Sequence, residues 1–335
     1  MIGAMTGTEH KRAADAAWAD YWEQDGGAEA SVQAVRGDHH AERLTVFWKN
    51  ALRAALQRRS AVRLLDAACG TGIVGRTAAE LAEEMGTCDL TGHCTDYSHA
   101  AVRAAMSAGS GPRLATAADA RALPYEDGSF DLVVSQFGLE YAGDDGFREA
   151  ARVVAAHGQF LAVIHMIDGG IHEECSGNLR ILDAIEQSGL MRMYGRVLEL
   201  AERVDAGRAA PGALSRPTRL IEAARLRVCE ALSGAPPGAA ADHALRLMAD
   251  WTQLFERRGH YGAGVAQAWI SAQAAELDAF ARRMRSMLAA ARDLDSINAL
   301  SEVFRGAGLS TVEVDTLVLG DAGQPAAWVM SASAP

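Results

Sequence analysis

The sequence predicts an α/β fold built on a Rossmann-like parallel sheet, interrupted late in the chain by a long helical insertion. A short apolar run at 62–65 ends on Asp66 and is followed by a turn of small residues and glycines, which is typical of a buried strand leading into a ligand-binding turn. Strand-like and helical stretches then alternate as far as His165. Strand patterns disappear between residues 169 and 296 and return near the C-terminus.

Composition excludes several classes of protein. The 335 residues carry 32 Lys and Arg against 43 Asp and Glu, a net charge of -11, without the basic stripe that nucleic-acid binding needs. We see no apolar stretch that suits a signal peptide or a membrane span. The five cysteines lack C-x-x-C spacing, which fits reduced thiols. We therefore expect a cytoplasmic protein with no nucleic-acid or membrane partner, and a homodimer on general frequency alone.

The first strand and its turn form the pattern D-x-A-x-G-x-G from Asp66 to Gly72, and 74–85 follows as a helix. The first amides of that helix point back at the turn and favour an anionic or polar ligand. A second strand at 89–96 ends on Asp96. A carboxylate about 20 to 30 residues past such a turn binds ribose hydroxyls in nucleoside-binding α/β units. The alternative for Asp96 is a cap on the helix that starts at Ser98.

The next two strands are predicted from a short run at 113–117, before Asp119, and from the block ALPYEDGSFDLVV at 122–134. Pro124 in a loop and Asp127-Gly128 at a turn agree with their backbone preferences. Ligands of open α/β sheets lie beyond the carboxyl ends of the strands. The residues that follow the fourth strand are therefore candidates for the floor of a pocket: Gln136, Phe137, Glu140 and Tyr141.

The stretch 147–165 predicts a helix, a turn and a fifth strand that ends near His165. We expect His157 to adopt the left-handed conformation at the turn. After the insertion, 297–307 predicts a helix that ends at Gly308. The stretches 310–319 and 326–332 predict two final strands.

Taken in this order, these stretches resemble the class I S-adenosylmethionine (SAM)-dependent methyltransferases, and within them the ubiquinone-biosynthesis-like small-molecule group. The resemblance covers about 60–165 and 297–332 and departs from the family at Ala156 and His157, where proline and glycine are usual. It implies a seven-stranded sheet whose last strand is antiparallel, with SAM as the cofactor. It also implies that Asp119 binds the adenine amino group and that the Ala120 amide meets the ring nitrogen. The implied cofactor-binding residues are Asp66, Ala68, Gly70, Thr71, Gly72, Asp96, Tyr97, Asp119, Ala120 and Gln136.

The same reading divides the chain into three parts: an N-terminal helical lid at 1–58, a SAM-binding core at 59–168 and 297–335, and a cap of about four helices at 169–296 that forms a substrate domain. Trp18, Tyr21 and Trp22 share one helix face. The stripe either docks the N-terminal helix on the body or, as in similar methyltransferases, places Tyr21 or Trp22 over the cofactor.

Methyl transfer to an alcohol or an ammonium needs a base, whereas transfer to a thioether does not. His165 is the first candidate for the base, with Glu140 second and Tyr21 as a further catalytic candidate. The cluster His172, Glu173, Glu174 and Cys175 could suggest a metal site, but acidic residues that favour the dipole at a helix start explain it better, so no metal is expected. The predicted substrate-pocket residues are Trp22, Phe137, Tyr141, His260 and Tyr261.

The sequence therefore predicts transfer of a methyl group from SAM to an O, N or S atom of a small molecule, in secondary metabolism. Two alternatives stay open. One is a non-methylating enzyme on the same fold, such as a cyclase or a nicotinamide oxidoreductase. The other is a SAM-binding regulatory subunit. Because Gly70, Gly72 and Gly75 also spell G-x-G-x-x-G, the glycines alone do not separate SAM from NAD.

Overall fold

The computed structural model describes Trp18, Tyr21 and residues 38–86, 88–107, 114–235, 238–261, 264–320 and 323–334. The chain divides into two compact units, of which the first comprises residues up to 173 together with 286–335, and the second comprises 174–285. Most of the predicted N-terminal helical lid lies outside the described residues. Its role as a lid and that of the insertion as a substrate domain stay predictions.

The first unit is built on a seven-stranded sheet in the order β3-β2-β1-β4-β5-β7-β6. Strands β1 to β5 run parallel, and β7 is antiparallel to both β5 and β6. The predicted fold class is thus confirmed, including its antiparallel last strand. The strands are β1 (Ala61–Ala67), β2 (Asp89–Asp96), β3 (Leu114–Ala117), β4 (Phe130–Gln136), β5 (Val154–His165), β6 (Thr311–Val318) and β7 (Pro325–Ser333).

The central strands are apolar because both of their faces are covered by the fold. In β1, Leu64 and Leu65 have no exposed surface, and Val133 and Val134 of β4 are equally buried. Asp66 at the end of β1 lies level with Cys94 of β2 and Val134 of β4. This register brings the carboxyl ends of three strands to one edge of the sheet, where the predicted ligand-binding turns begin.

Five of the described α-helices lie wholly in the first unit: α1 (Asp38–Leu56), α2 (Ile73–Met85), α3 (His99–Ser107), α4 (Asp144–Val153) and α10 (Leu294–Gly306). Phe160 of β5 lies with its ring centroid 6.4 Å from that of Phe147 and 4.4 Å from that of Phe304, so α4 and α10 share one core with the sheet. Helix α10 starts three residues earlier than predicted, because the Asp293 side chain accepts the Ser296 N–H at 2.8 Å and caps it.

The loop between β3 and β4 is fastened by Arg152 of α4. Its guanidinium donates to the carbonyl oxygens of Leu123 and Tyr125 at 3.2 and 2.8 Å, and to the carboxylates of Asp127 and Glu149 at 2.8 Å and 2.7–2.8 Å. This pairing lowers the pKa of Glu149. The block LPYEDG is therefore a structural turn that sets up β4. His157 takes the left-handed conformation, with φ of 60°, as predicted.

The second unit is helical throughout its described residues. Helices α6 (Leu190–Asp205), α7 (Ser215–Ser233) and α8 (Ala239–Glu256) lie within it, while α5 (Gly170–Ser188) and α9 (Val265–Ala290) contain its boundaries. Five helices stand where about four were expected. The buried face of α7 consists of only three apolar residues, Ile221, Ala224 and Val228, which is a weak apolar signal in a helix of this length. Among the described helices none has the length and apolarity that crossing a membrane would require.

Candidate cofactor and substrate site

A cleft opens at the carboxyl edge of the sheet, next to the turns after β1, β2, β3 and β4. It brings together most of the predicted site residues of the first unit. Twelve of these line the cleft: Asp66, Ala68, Gly70, Thr71, Asp96, Tyr97, Asp119, Ala120, Gln136, Phe137, Tyr141 and His165.

The glycine turn after β1 contains three residues in the left-handed backbone conformation. Gly70 has φ of 52° and Gly72 has φ of 73°, and even Ala68 has φ of 53°. Gly72 does not line the cleft; it precedes the first residue of α2. A Cβ at Gly72 would lie 3.0 Å from the Cβ of Ala105, so the glycine lets the turn pack closely against α3.

The turn after β4 packs against the turn after β1 without any space between them. A Cβ at Gly138 would lie 2.6 Å from both the Cβ and the carbonyl oxygen of Ala68. Phe137, next to it, also has a positive φ, 51°. Two non-glycine residues in this conformation at one cleft are a strained arrangement of the kind that persists at binding sites.

We expect Gly138→Ala to push the two turns apart and to destabilise the fold by about 2 kcal/mol, within the range for overpacked sites. Urea unfolding of the variant measures this loss. Gly212→Ala is the matched control, since no atom lies within 4 Å of a Cβ there. Equal stability of Gly138→Ala and the control would contradict the close packing of the two turns.

Asp96 at the end of β2 acts both as a cap and as a side chain of the cleft. Its Oδ2 accepts the Gly70 N–H and its Oδ1 accepts the Ser98 N–H, each at 2.8 Å. A carboxylate oxygen has two lone pairs, so each oxygen keeps capacity for one further donor. The cap that the sequence raised as an alternative is therefore present, and the ribose-binding role stays a prediction. Burial raises the pKa of Asp96, and its hydrogen bonds with Ser98 and Gly70 oppose that rise.

Asp119 forms an ion pair that the sequence did not predict. Its carboxylate accepts from the Nε of Arg121 at 2.8 Å and from a second guanidinium nitrogen of the same residue. Both side chains line the cleft. An acid and a base two residues apart in a loop give no recognisable sequence pattern. The local turn brings them together, and in this turn Asp119 also accepts the Arg121 N–H at 2.9 Å.

Asp66 is the most deeply buried acid of the cleft, with 1% of its surface exposed. Burial raises its pKa from 3.8 to about 7; the Gly75 N–H, which Oδ2 accepts at 2.9 Å, acts in the opposite direction. Asp96 raises this pKa further. Cys69, a cleft residue missed by the sequence reading, has its pKa raised by its contact with the Cys94 thiol and by burial.

His165 and Glu140, which the sequence offered as separate candidates for a base, form one buried pair. The Nδ1 atom of His165 lies 2.7 Å from Glu140 Oε1, which also accepts the His165 backbone N–H at 3.0 Å. Each residue is 4% exposed, and only His165 lines the cleft. Glu140 therefore stands behind the histidine, so its predicted place in the floor of the pocket is wrong.

Aromatic side chains surround His165. The ring centroids of Phe137 and Tyr141 lie 4.5 and 5.8 Å from that of the histidine. Trp18, which also lines the cleft, makes an edge contact with Tyr141 at 5.4 Å. Met287, at the end of α9, lines the cleft as well. Neither Trp18 nor Met287 was a predicted site residue, since each is far from the strand ends in sequence.

Tyr21 does not line the cleft. It is 4% exposed and contacts Trp18 edge-on at 5.5 Å, so it packs behind a cleft residue, and its predicted catalytic role is not supported by this position. Trp22 lies outside the described residues. Gln136 lines the cleft, and its Oε1 accepts the Trp48 Nε1–H at 2.6 Å, which fixes the orientation of the amide.

His260 and Tyr261 belong to the second unit. His260 ends a short 3₁₀ turn (Arg258–His260), and Tyr261 follows with 42% of its surface exposed. Their place in a substrate pocket stays a prediction. Within the described ranges, no group of three or more His, Cys, Asp or Glu residues is arranged to hold a metal ion.

Residues 65–162 match the family model described as "Methyltransferase domain". The ubiquinone/menaquinone biosynthesis C-methyltransferase UbiE of Caulobacter vibrioides is 33% identical over 124 residues, which are 35% of this chain and 49% of that protein. The malonyl-[acyl-carrier protein] O-methyltransferase of Geobacter sulfurreducens is 38% identical over 137 residues, 39% of this chain and 49% of that protein. The chain thus spans about half the length of these curated relatives.

Among solved structures, the S-adenosylmethionine dependent methyltransferase from Mesorhizobium loti is 26% identical, with a TM-score of 0.30, and the match covers 35% of this chain and 53% of that one. The family match places a methyltransferase domain on the sheet of the first unit. This chain carries that domain around residues 65–162, with the helical unit inserted after β5.

Proposed function

We propose that the chain is an enzyme that transfers a methyl group from SAM to a small molecule. The observation that carries the proposal is the arrangement of Asp96, which holds the glycine turn through Gly70 and keeps a free lone pair on each oxygen at the cleft. A ribose offers two neighbouring hydroxyl donors, which match these two acceptors.

The remaining residues of the cleft fit SAM as well. Among the Asp, Glu, Lys and Arg side chains that line the cleft, three are aspartates and one is an arginine: Asp66, Asp96, Asp119 and Arg121. Such an acidic cleft favours a ligand that carries a sulfonium and an ammonium. Asp119 and the Ala120 amide would face the adenine, and the turn from Ala68 to Gly70 would carry the methionine part. SAM supplies a methyl group on a sulfonium, which is an excellent leaving group.

What the chain must add is in-line positioning of the acceptor, which is worth roughly 7–11 kcal/mol of the barrier. We place the acceptor beside Phe137, Tyr141 and His165, at the ends of β4 and β5. The proposal extends to a cytoplasmic enzyme of secondary metabolism that acts as a homodimer. An acidic protein with cysteines not arranged in pairs supports the compartment.

Calorimetric titration of the purified chain with SAM, S-adenosylhomocysteine and NAD, each alone, tests the cofactor. We expect about micromolar binding of both sulfur compounds and none of NAD. Binding of NAD alone would overturn the proposal in favour of the nicotinamide alternative. Tight SAM binding without methyl transfer to any acceptor would instead favour a regulatory subunit, whereas ring closure of an acceptor without gain of a methyl group would favour a cyclase.

A further inference from the structure

The buried pair of His165 and Glu140 defines the chemistry of the acceptor atom. From its geometry we infer that His165 takes a proton from the acceptor while Glu140 acts as the positioning residue behind it, so that the substrate is a hydroxyl or enol compound. The inference rests on the proposed function, since it concerns the same cleft.

The hydrogen bonds fix which nitrogen of His165 faces the substrate. Glu140 Oε1 accepts the backbone N–H of His165 at 3.0 Å, so this oxygen acts as an acceptor. The ring Nδ1, 2.7 Å from the same oxygen, then serves as the second donor. A neutral imidazole with its hydrogen on Nδ1 leaves a lone pair on Nε2.

That lone pair has no partner among the described residues. The Nε2 atom is buried and makes no hydrogen bond there, although buried polar atoms nearly always have one. His165 lines the cleft, and its Nδ1 is turned toward Glu140, which does not; we therefore infer that Nε2 is the ring nitrogen on the cleft side. The missing partner is therefore expected to be a donor supplied by the substrate.

The surroundings of this edge favour a neutral hydroxyl over an ammonium. The carboxylates that line the cleft lie at the ends of β1 and β2 and in the turn after β3. The Glu140 side chain, 1% exposed, is shielded by the histidine. Phe137 and Tyr141 flank the ring instead. An ammonium would find no carboxylate to pair with at this end, whereas the hydroxyl of a neutral compound can donate to Nε2.

The step balances in atoms and electrons. The C–S bond of the cofactor breaks with its electron pair left on sulfur, and the acceptor oxygen forms the new O–C bond with its own lone pair, or the enol carbon forms a C–C bond with its π pair. The hydroxyl proton moves to Nε2 of His165, which Glu140 stabilises as an imidazolium through Nδ1, and it leaves to water afterwards. A thioether acceptor carries no such proton and would need no base.

Nitrogen-15 NMR of histidine-labelled chain tests the pair without cofactor or substrate. The His165 signals are assigned by their loss in His165→Ala. At pH 8 we expect them to show a hydrogen on Nδ1 and none on Nε2. A hydrogen on Nε2 in this state would overturn the inference. This readout stands even if SAM fails to bind, an outcome that would remove the proposed function instead.

Transfer from isotope-labelled SAM to phenol, acetylacetone, benzylamine and thioanisole tests the acceptor class. We expect transfer to the first two only, reduced by about 100- to 10,000-fold in His165→Ala. In Glu140→Gln we expect kcat to fall by about tenfold or more with the acceptor KM nearly unchanged. His99→Ala, at an exposed position on α3, should match the wild type.

Three outcomes would overturn the acceptor assignment. The first is preferred transfer to benzylamine or thioanisole, and the second is an unchanged rate in His165→Ala. The third is the absence of transfer to either hydroxyl or enol probe by a chain that binds SAM. A rise of KM alone in Glu140→Gln would reduce Glu140 to a structural support.

Discussion

Asp96→Asn should weaken the binding of SAM by about 100-fold, the largest loss expected from any single exchange of an atom in the cleft. The charged carboxylate would accept both ribose hydroxyls, and a hydrogen bond to a charged group is worth about 1.5–3 kcal/mol. In the variant, the amide keeps one oxygen as an acceptor and presents an NH₂ group to the other hydroxyl. Calorimetric titration with SAM gives the affinity of each form.

The choice of asparagine follows from the second role of the residue. Asp96→Ala would remove the acceptors of two backbone N–H groups, at Gly70 and Ser98, so a loss of binding in that variant would also report a disturbed turn. Asparagine keeps an acceptor for one of them. Asp89→Asn, at the exposed opposite end of β2, is the matched control and should bind SAM like the wild type. SAM binding by Asp96→Asn within twofold of the wild type would remove Asp96 from the ribose site.

Local sequence patterns were enough to predict the part of the site that lies at strand ends. Asp66 and the glycine turn follow an apolar run, and Asp96 ends a predicted strand; a parallel sheet places such ends at one edge. The terminal strands were predicted from local pattern as well: the residues of β6 alternate between apolar and polar, and a second strand-like stretch follows where β7 lies.

Contacts that depend on packing or on the conformation of a loop could not be predicted in this way. Glu140 and His165 are 25 positions apart, and each had its own interpretation until β5 and the turn after β4 brought them together. Met287 reaches the cleft only because α9 ends in the first unit. The ion pair of Asp119 with Arg121 depends on a loop conformation that no periodicity encodes. These contacts depend on how the elements and loops pack, which the periodicity of a single sequence does not reveal.

Replacing Asp66 by asparagine should change how stability depends on pH. In the folded chain burial holds the pKa of Asp66 at about 7, whereas the unfolded value is near 3.8. Between these values the folded chain keeps the proton that the unfolded chain has lost. Folding therefore takes up a proton, and the contribution of Asp66 to the free energy of unfolding falls as the pH rises from about 4 to about 7. Above pH 7 both states are ionised and the contribution is constant.

Over this window the loss amounts to roughly 4 kcal/mol, since each pKa unit corresponds to about 1.4 kcal/mol. Asp66→Asn has no proton to exchange but can still accept the Gly75 N–H. The free energy of unfolding of Asp66→Asn minus that of the wild type, measured by urea titration, should thus rise steadily from pH 4 to pH 7 and then level off. Asp131→Asn, at the start of β4, where the carboxylate pairs with Arg63, controls for the loss of a carboxylate as such. A difference that stays flat, or that falls with rising pH, would mean that Asp66 is ionised in the folded chain throughout. The Asp66 carboxylate would then present a negative charge to the sulfonium and ammonium of SAM at every pH of this window, instead of a charge that forms only near pH 7.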